Sequence, residues 1–126
     1  MTISNPIHLV KRGISGTTNG STALGTLDQD CVLKSVTVLS DTATSPNGDM
    51  LFRIQADSKN YASGTIPFTA ADQRYSNLDN PDNPVIYLVN GTGVIEAGKE
   101  VEAVVVSPDS GTALDITVIV ELLPIA

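Results

Sequence analysis

The chain has 126 residues, a formal net charge of -7, 41% hydrophobic residues and only 4% aromatic residues. This length suits one domain with a core that needs no disulfide or structural metal, and the single cysteine, Cys31, excludes an intrachain disulfide and a cysteine-based metal cluster. Because so acidic a surface repels phosphate backbones, nucleic-acid binding is not expected. The sequence also shows no signal peptide and no apolar run long enough to span a membrane, so we expect synthesis in the cytoplasm and no membrane partner.

Residues 1–20 have little hydrophobic periodicity and are rich in Gly, Ser, Thr and Asn, which predicts an extended N-terminal arm. Segments 7–11 and 21–27 are weak strand candidates. The arm combines apolar with basic side chains, unlike the acidic remainder, and such arms can add a strand to a neighbour's sheet edge. The predicted partner-binding residues are Ile3, Ile7, Leu9, Val10, Lys11 and Arg12.

Two stronger strand patterns follow, at 31–39 and 50–56, where apolar residues alternate with polar ones. The stretch between them, 41–49, contains Pro and Gly and predicts a turn. Residues 57–84 differ from both, because they hold three of the seven prolines and two of the three tyrosines. We predict a long loop there, with one helical turn at 69–75, and loops of that length usually have a function.

The C-terminal third predicts four more strands. Segments 85–89 and 93–95 are joined by Asn90-Gly91, a dipeptide that favours a tight hairpin turn. A Val-rich strand at 101–106 is followed by a hairpin or tight-loop signal at 107–111, and then by the clearest strand, at 114–123. Seven or eight short strands with turns between them predict an all-β, single-domain β-sandwich or jelly roll at 21–126.

The last strand carries apolar residues on both faces. The inward row is Leu114, Ile116, Val118, Val120 and Leu122. The opposite face has Thr117 and Glu121 but also Ile119 and Leu123, and Ile125 follows. Because an uncovered apolar patch is unusual on a soluble monomer, we predict a homo-oligomer, with a trimer favoured, whose interface contains Ile119, Leu123 and Ile125.

Residues that could support catalysis or metal binding are few. His8 is the only histidine, which leaves little material for a nucleophilic triad and excludes a zinc site with two or three histidines. The acidic runs at 28–30 and 79–83 do not match a calcium-binding EF-hand loop, and Asx turns explain both. We therefore expect no enzyme activity, no cofactor and no metal.

Four sequence features occur in a characteristic order between residues 31 and 126. They are a strand at 33–38 before a Pro/Gly turn at 45–48, a strand at 50–57 that ends in an acidic turn, an "I-x-A-G" step at 95–98 before the Val-rich strand, and a "G-T-A-x-D-I-x-V" strand at 111–118. This layout resembles a recurrent bacteriophage virion domain, a jelly roll found in head-decoration (cement) proteins, head fibres and tail appendages.

The resemblance implies a non-catalytic structural protein of a phage capsid that binds the outside of the shell and stabilises it. It implies the major capsid protein or other virion proteins as partners, homotrimers at symmetry points of the capsid, and localisation in the virion. The absence of a collagen-like or coiled-coil stalk favours a cement subunit over a fibre tip. The alternatives are a head-fibre, tail-tip or receptor-binding module and, outside viruses, a carbohydrate-binding module.

Overall fold

The computed structural model describes residues 5–16, 18–44, 50–67, 73–79, 85–89, 93–106 and 113–125, with backbone alone at 42–44 and 113–114. Within these ranges the protein is all-β, with ten strands and no helix. The strands are β1 (Ile7–Ser15), β2 (Gly20–Thr26), β3 (Cys31–Thr44), β4 (Met50–Ala56), β5 (Lys59–Ile66), β6 (Arg74–Ser76), β7 (Ile86–Leu88), β8 (Val94–Ile95), β9 (Glu100–Val106) and β10 (Ala113–Pro124).

The strands form two antiparallel sheets that pack face to face. Sheet 1 has the order β1-β10-β3-β6, with β8 also paired to β3, and sheet 2 has the order β2-β9-β4-β5-β7. The first strand therefore pairs with the last, and the second with the second last. This nesting of an antiparallel ribbon is the topology of a double-sheet jelly roll, which confirms the predicted fold class.

The core is formed by the inward rows of both sheets, as the period-two patterns predicted. Ile116, Val118, Val120 and Leu122 of β10 are fully buried. Sheet 2 contributes an equally buried row from β4 and β9, which consists of Phe52, Ile54, Val101, Ala103 and Val105. The side chain of Leu114, the fifth member of the predicted β10 row, lies outside the described residues.

The structure differs from the predicted arm, because most of that segment is a strand of sheet 1. β1 pairs with β10 from Ile7 opposite Leu122 to Ser15 opposite Asp115. A one-residue bulge between Lys11 and Ile14 interrupts the alternation, and Gly13 within it has a positive φ of 72°. The bulge hides the strand in the sequence, since it shifts Ile14 out of phase with Ile7.

The predicted long loop at 57–84 also contains strands. β5 folds back on β4 through a two-residue turn at Asp57 and Ser58, and β6 pairs with β3. The period of β5 is disguised by a bulge at Tyr61 and by Gly64, where a Cβ atom would lie 2.6 Å from the carbonyl oxygen of Val85. The helical turn predicted at 69–75 lies partly outside the described residues, and its last two positions belong to β6.

Two predicted turns have a different character in the structure. β3 continues through the first part of the predicted 41–49 turn and ends at Thr44. β9 and β10 belong to different sheets, so the connection at 107–111 crosses between sheets and is not a hairpin. The Asn90-Gly91 turn lies outside the described residues.

Candidate interaction surface

The six predicted partner-binding residues separate into a buried group and an exposed group. Ile7 and Leu9 are half-buried and pack against the core. Leu9 also covers β2, where its Cδ2 lies 3.0 Å from the position that a Cβ of Gly25 would take. These two side chains therefore stabilise the sandwich, while Ile3 lies outside the described residues.

Val10, Lys11 and Arg12 remain exposed, and Val10 has 50% of its surface accessible. Val10 stands opposite Ile119 on the outer face of sheet 1. A shallow groove of about 360 Å³ crosses this face, and its lining residues are Val10, Arg12, Leu39, Asp41, Thr117 and Ile119. Three of these side chains are apolar, and Arg12 and Asp41 add one cation and one carboxylate.

Thr117 has an unexpected environment, because this outward-facing residue is only 6% exposed. Its hydroxyl donates a hydrogen bond of 2.7 Å to Oδ2 of Asp41. Ile119, two residues further along β10, is half-buried on the same face. Neighbouring side chains of the outer face thus shield Thr117 and Ile119 from solvent at the groove.

One charged cluster divides this outer face. Glu121 forms ion pairs with His8 at 3.4 Å and with Lys34 at 3.5 Å. The pair with His8 exists only when the histidine is protonated. The three residues lie on adjacent strands β1, β10 and β3. Both partners of Glu121 are more than half exposed, so each pair contributes little to stability and the cluster is hydrated.

Beyond Glu121 the outer face becomes apolar again. Leu123 pairs with Val32 across β10 and β3, and Val32 pairs with Val94 across β3 and β8. Directly opposed residues share a face of the sheet, so these three form an apolar ladder. Leu123 and Val94 are 38% and 42% exposed, and Ile125 beyond them is 43% exposed. The predicted interface residues Leu123 and Ile125 therefore lie together, and sequence reasoning missed their neighbours Val32 and Val94.

Sheet 2 has an acidic strip near the edge that adjoins β1. Glu100 and Glu102 alternate with buried Val101 and Ala103, so their side chains point away from the core. Partial burial, followed by the hydrogen bond and repulsion from Glu100, raises the pKa of Glu102. Neither β9 nor its neighbour β2 contains a lysine or an arginine.

A second groove, of about 200 Å³, lies beside the β4–β5 turn, and it was not predicted from the sequence. Its lining residues are Ala56, Asp57, Lys59, Tyr61, Val94, Glu96 and Lys99. Asp57 pairs with Lys99 at 3.2 Å, and Tyr61 donates a hydrogen bond of 3.2 Å to the carbonyl oxygen of Val94. The ring of Tyr61 is buried, so it supplies no exposed platform on which a sugar could stack.

The other side chains that could react or bind a metal are buried or form hydrogen bonds and ion pairs within the protein. Cys31 is buried, and burial, followed by repulsion from Asp28 and Asp30, raises the pKa of its thiol. Asp30 accepts a hydrogen bond of 2.9 Å from the backbone N–H of Ala97, and Asp79 pairs with Arg74 at 2.7 Å. Among the described residues, no three metal-ligating side chains converge.

Comparison with known proteins finds similarity at the level of the fold. No protein-family model matches the sequence, and no curated protein matches it. None of the described residues forms a helix long and apolar enough to cross a membrane. A chain from the acidic stable capsid structure of Helicobacter pylori bacteriophage KHP30 is similar over 97% of this chain and 88% of that one, with 11% sequence identity and a TM-score of 0.48. Similarity at this level does not assign a function.

Proposed function

We propose that this protein is a non-catalytic structural component of a bacteriophage virion, a decoration protein that binds the outer surface of the capsid shell and stabilises it. In this role its partner is the major capsid protein, and it is made in the host cytoplasm before it joins the particle. It acts as a homo-oligomer, with a trimer favoured.

The observation that carries the proposal is the outer face of sheet 1. Leu123, Val94 and Ile125 are large apolar side chains with between 38% and 43% of their surfaces exposed on it. Apolar patches of this kind on soluble proteins usually mark interaction sites. A jelly roll is also the architecture implied by the sequence resemblance, although a fold alone does not give a function.

The alternatives predict different distributions of the bound protein. A head fibre, tail-tip or receptor-binding module would occupy one vertex or the tail, whereas a decoration protein would cover the head. A carbohydrate-binding module requires a cluster of exposed aromatic rings. Among the described residues, Phe52 and Tyr61 are buried and Tyr87 is 51% exposed, which does not favour that alternative.

The test is a binding experiment with capsids of the phage that encodes the chain, prepared without this protein. Purified protein is mixed with them, and co-sedimentation and negative-stain microscopy report how much binds and where. We expect saturable binding over the whole head and a higher temperature of capsid disruption. Binding confined to the tail or one vertex, or no co-sedimentation, would contradict the proposal.

A matched pair of variants identifies the contributing face. Leu123→Asp places a charge in the exposed apolar ladder, and we expect it to reduce binding about tenfold or more. Thr65→Asp makes a similar change at an exposed position of sheet 2 and serves as the control. Equal binding by both variants would remove the ladder from the proposed surface.

A further inference from the structure

The basic and acidic residues of this chain are distributed unequally around one edge of the sandwich. β1 contains His8, Lys11 and Arg12 and has no acidic residue, in a chain with 14 acids and only seven lysines and arginines. β2 and β9 contain Glu100 and Glu102 and have no basic residue. Strand β1 and the β2–β9 surface thus have opposite charge, whereas β10, the neighbour of β1, contains Asp115 and Glu121.

Both surfaces adjoin the same side of the molecule. β1 ends the order of sheet 1 and β2 ends the order of sheet 2, and Leu9 packs over Gly25 where the two strands meet. Each of these strands pairs on one side only within the described residues. A row of backbone groups on each strand, together with oppositely charged side chains, therefore borders this edge.

We propose that a second copy of this chain occupies the edge, with the β1–β10 surface of one copy packed against the β2–β9 surface of the next. Lys11 and Arg12 of one copy then face Glu100 and Glu102 of its neighbour. The inference rests on the self-association in the proposed function and names the contact that produces it. It does not depend on capsid binding.

The apolar residues of sheet 1 fit the same contact. Val10 and Ile119 are opposed on β1 and β10, the two strands nearest the edge, and both lie on the groove side of the Glu121 cluster. On the other surface, Val104 and Val106 of β9 are half-buried and face outward, and Leu51 beside Val106 is 39% exposed. An apolar centre bordered by complementary charges is the usual composition of a stable interface.

Side chains, and not a continuous strand ladder, form this contact. β1 has a bulge between Lys11 and Ile14, and β2 has one between Ala23 and Gly25. Bulges at sheet edges prevent regular pairing with another chain. The contact therefore depends on the charged and apolar residues and can be disrupted by exchanging them.

The contact joins two different surfaces, so its symmetry depends on their positions. A heterologous contact gives a closed ring if the rotation between copies closes, and a filament if it does not. Because both surfaces border one edge, copies arranged around an axis parallel to the strands place β1 of each beside β2 of the next. Three copies around that axis give the predicted trimer.

Reversing the charges tests the contact. Wild-type protein should have a mass of three times 13.1 kDa by light scattering at micromolar concentration. Two variants reverse one side each, Lys11→Glu/Arg12→Glu and Glu100→Lys/Glu102→Lys. Each should dissociate at a protein concentration about tenfold or more above that at which wild type dissociates, since like charges then face each other. The chain with all four changes should associate within about threefold of wild type, because the attraction is restored with opposite signs.

The control changes Lys59→Glu and Glu96→Lys, at the groove beside the β4–β5 turn, and should leave association unchanged. Circular dichroism verifies the fold, and the single changes Arg12→Glu and Glu100→Lys provide the same test if a double variant unfolds. A monomeric wild type, unaffected double variants or no restoration in the fourfold variant would overturn the contact. Capsid binding is assayed separately. If only the virion role is wrong, the protein does not bind capsids but still self-associates.

Discussion

The side chain of Asn77 fills a gap along the edge of β3 that pairs with β6 and β8. Its Oδ1 accepts a hydrogen bond of 2.7 Å from the backbone N–H of Val36, and its Nδ2 donates one of 3.3 Å to the carbonyl oxygen of Lys34. β3 bulges there, because Ser35 and Leu33 oppose consecutive residues of β10. The Asn77 amide thus supplies hydrogen-bond partners to two backbone groups of β3 that lie between its β6 and β8 pairings. A regular strand could not pair with both groups across the bulge.

Asn77→Ala should therefore lower the free energy of unfolding by roughly 1–2 kcal/mol, since both backbone groups lose their partners. Asn77→Asp retains the acceptor for Val36 and loses the donor to Lys34, so we expect an intermediate loss near neutral pH. Urea denaturation of the three proteins measures the order. Equal stability of the alanine variant and wild type would show that water replaces the amide without cost.

Ser58 has an unfavourable backbone conformation. Asp57 and Ser58 form the β4–β5 turn with φ values of 52° and 63°, a region in which side chains other than those of Asn and Asp are disfavoured. Ser58→Gly should raise the free energy of unfolding by about 1 kcal/mol. Ser58→Ala keeps the Cβ atom and should give no gain, so a similar stabilisation by both variants would mean that the conformation is not its cause.

Glu102 should make stability depend on pH. Its pKa in the folded protein is raised above the usual value of 4.5, so the folded state holds this proton more tightly than the unfolded state does. Its contribution to stability is complete below pH 4.5 and is lost as the pH rises through the folded-state pKa. Glu102→Gln should therefore raise the melting temperature of the dissociated chain at pH 7, measured at a protein concentration below that of self-association, and the gain should shrink toward pH 4.

Glu96→Gln is the control for this measurement, because it also removes one negative charge but at a site outside the Glu100–Glu102 pair. A gain from Glu102→Gln that stayed constant with pH would exclude titration of this carboxyl as its origin.

At the level of single strands, β10 provides the sharpest test of the core. Val118→Asp places a carboxylate among fully buried apolar residues, and we expect unfolding or a loss of about 3 kcal/mol or more. Leu123→Asp, in the same strand, lies 38% exposed and should cost less than about 1 kcal/mol. Melting temperatures compare the two. Thr117 cannot serve as the tolerant position, since its side chain is buried against Asp41.

Strands with long runs of alternation could be predicted from the sequence, and β3 was predicted over its first nine residues despite its bulges, whereas β1 and β5 were largely missed. β4 and β10 have rows of apolar residues at every second position, and their predicted bounds agree with the structure within one residue. In β1 and β5 a single extra residue changes which side chains face inward. The alternation of apolar and polar residues is therefore interrupted, and it indicates only short pieces of each strand. Those two strands were predicted as an arm and as part of a loop.

The interaction surface could be predicted only in part for a related reason. Leu123 lies in β10 and Ile125 directly follows the end of this strand, so alternation alone predicts that both are exposed. Val32 and Val94 join them through pairing across β3, which depends on how distant segments nest. The acidic pair on β9 was visible in the sequence, but its position one strand away from the edge that β1 and β2 share follows from the strand order of both sheets.

For the molecule as a whole, β1 should be required for stability. Removing residues 1–15 exposes the free edge of β10 and uncovers the core where Ile14 and Leu9 pack. We expect the shortened chain to aggregate, whereas loss of a free arm would leave a stable domain. A peptide of residues 5–16 added during refolding should restore solubility, and a soluble, cooperatively melting shortened chain without it would contradict the role of β1.

The pairing of the first strand with the last has a consequence for biosynthesis. Neither sheet can be completed until β9 and β10 have left the ribosome, because each lies between strands made earlier. Contacts between residues so far apart in sequence form slowly. The nascent chain therefore carries unpaired strand edges through nearly its whole synthesis, and the cell's holding chaperones should associate with it until residue 124 has emerged.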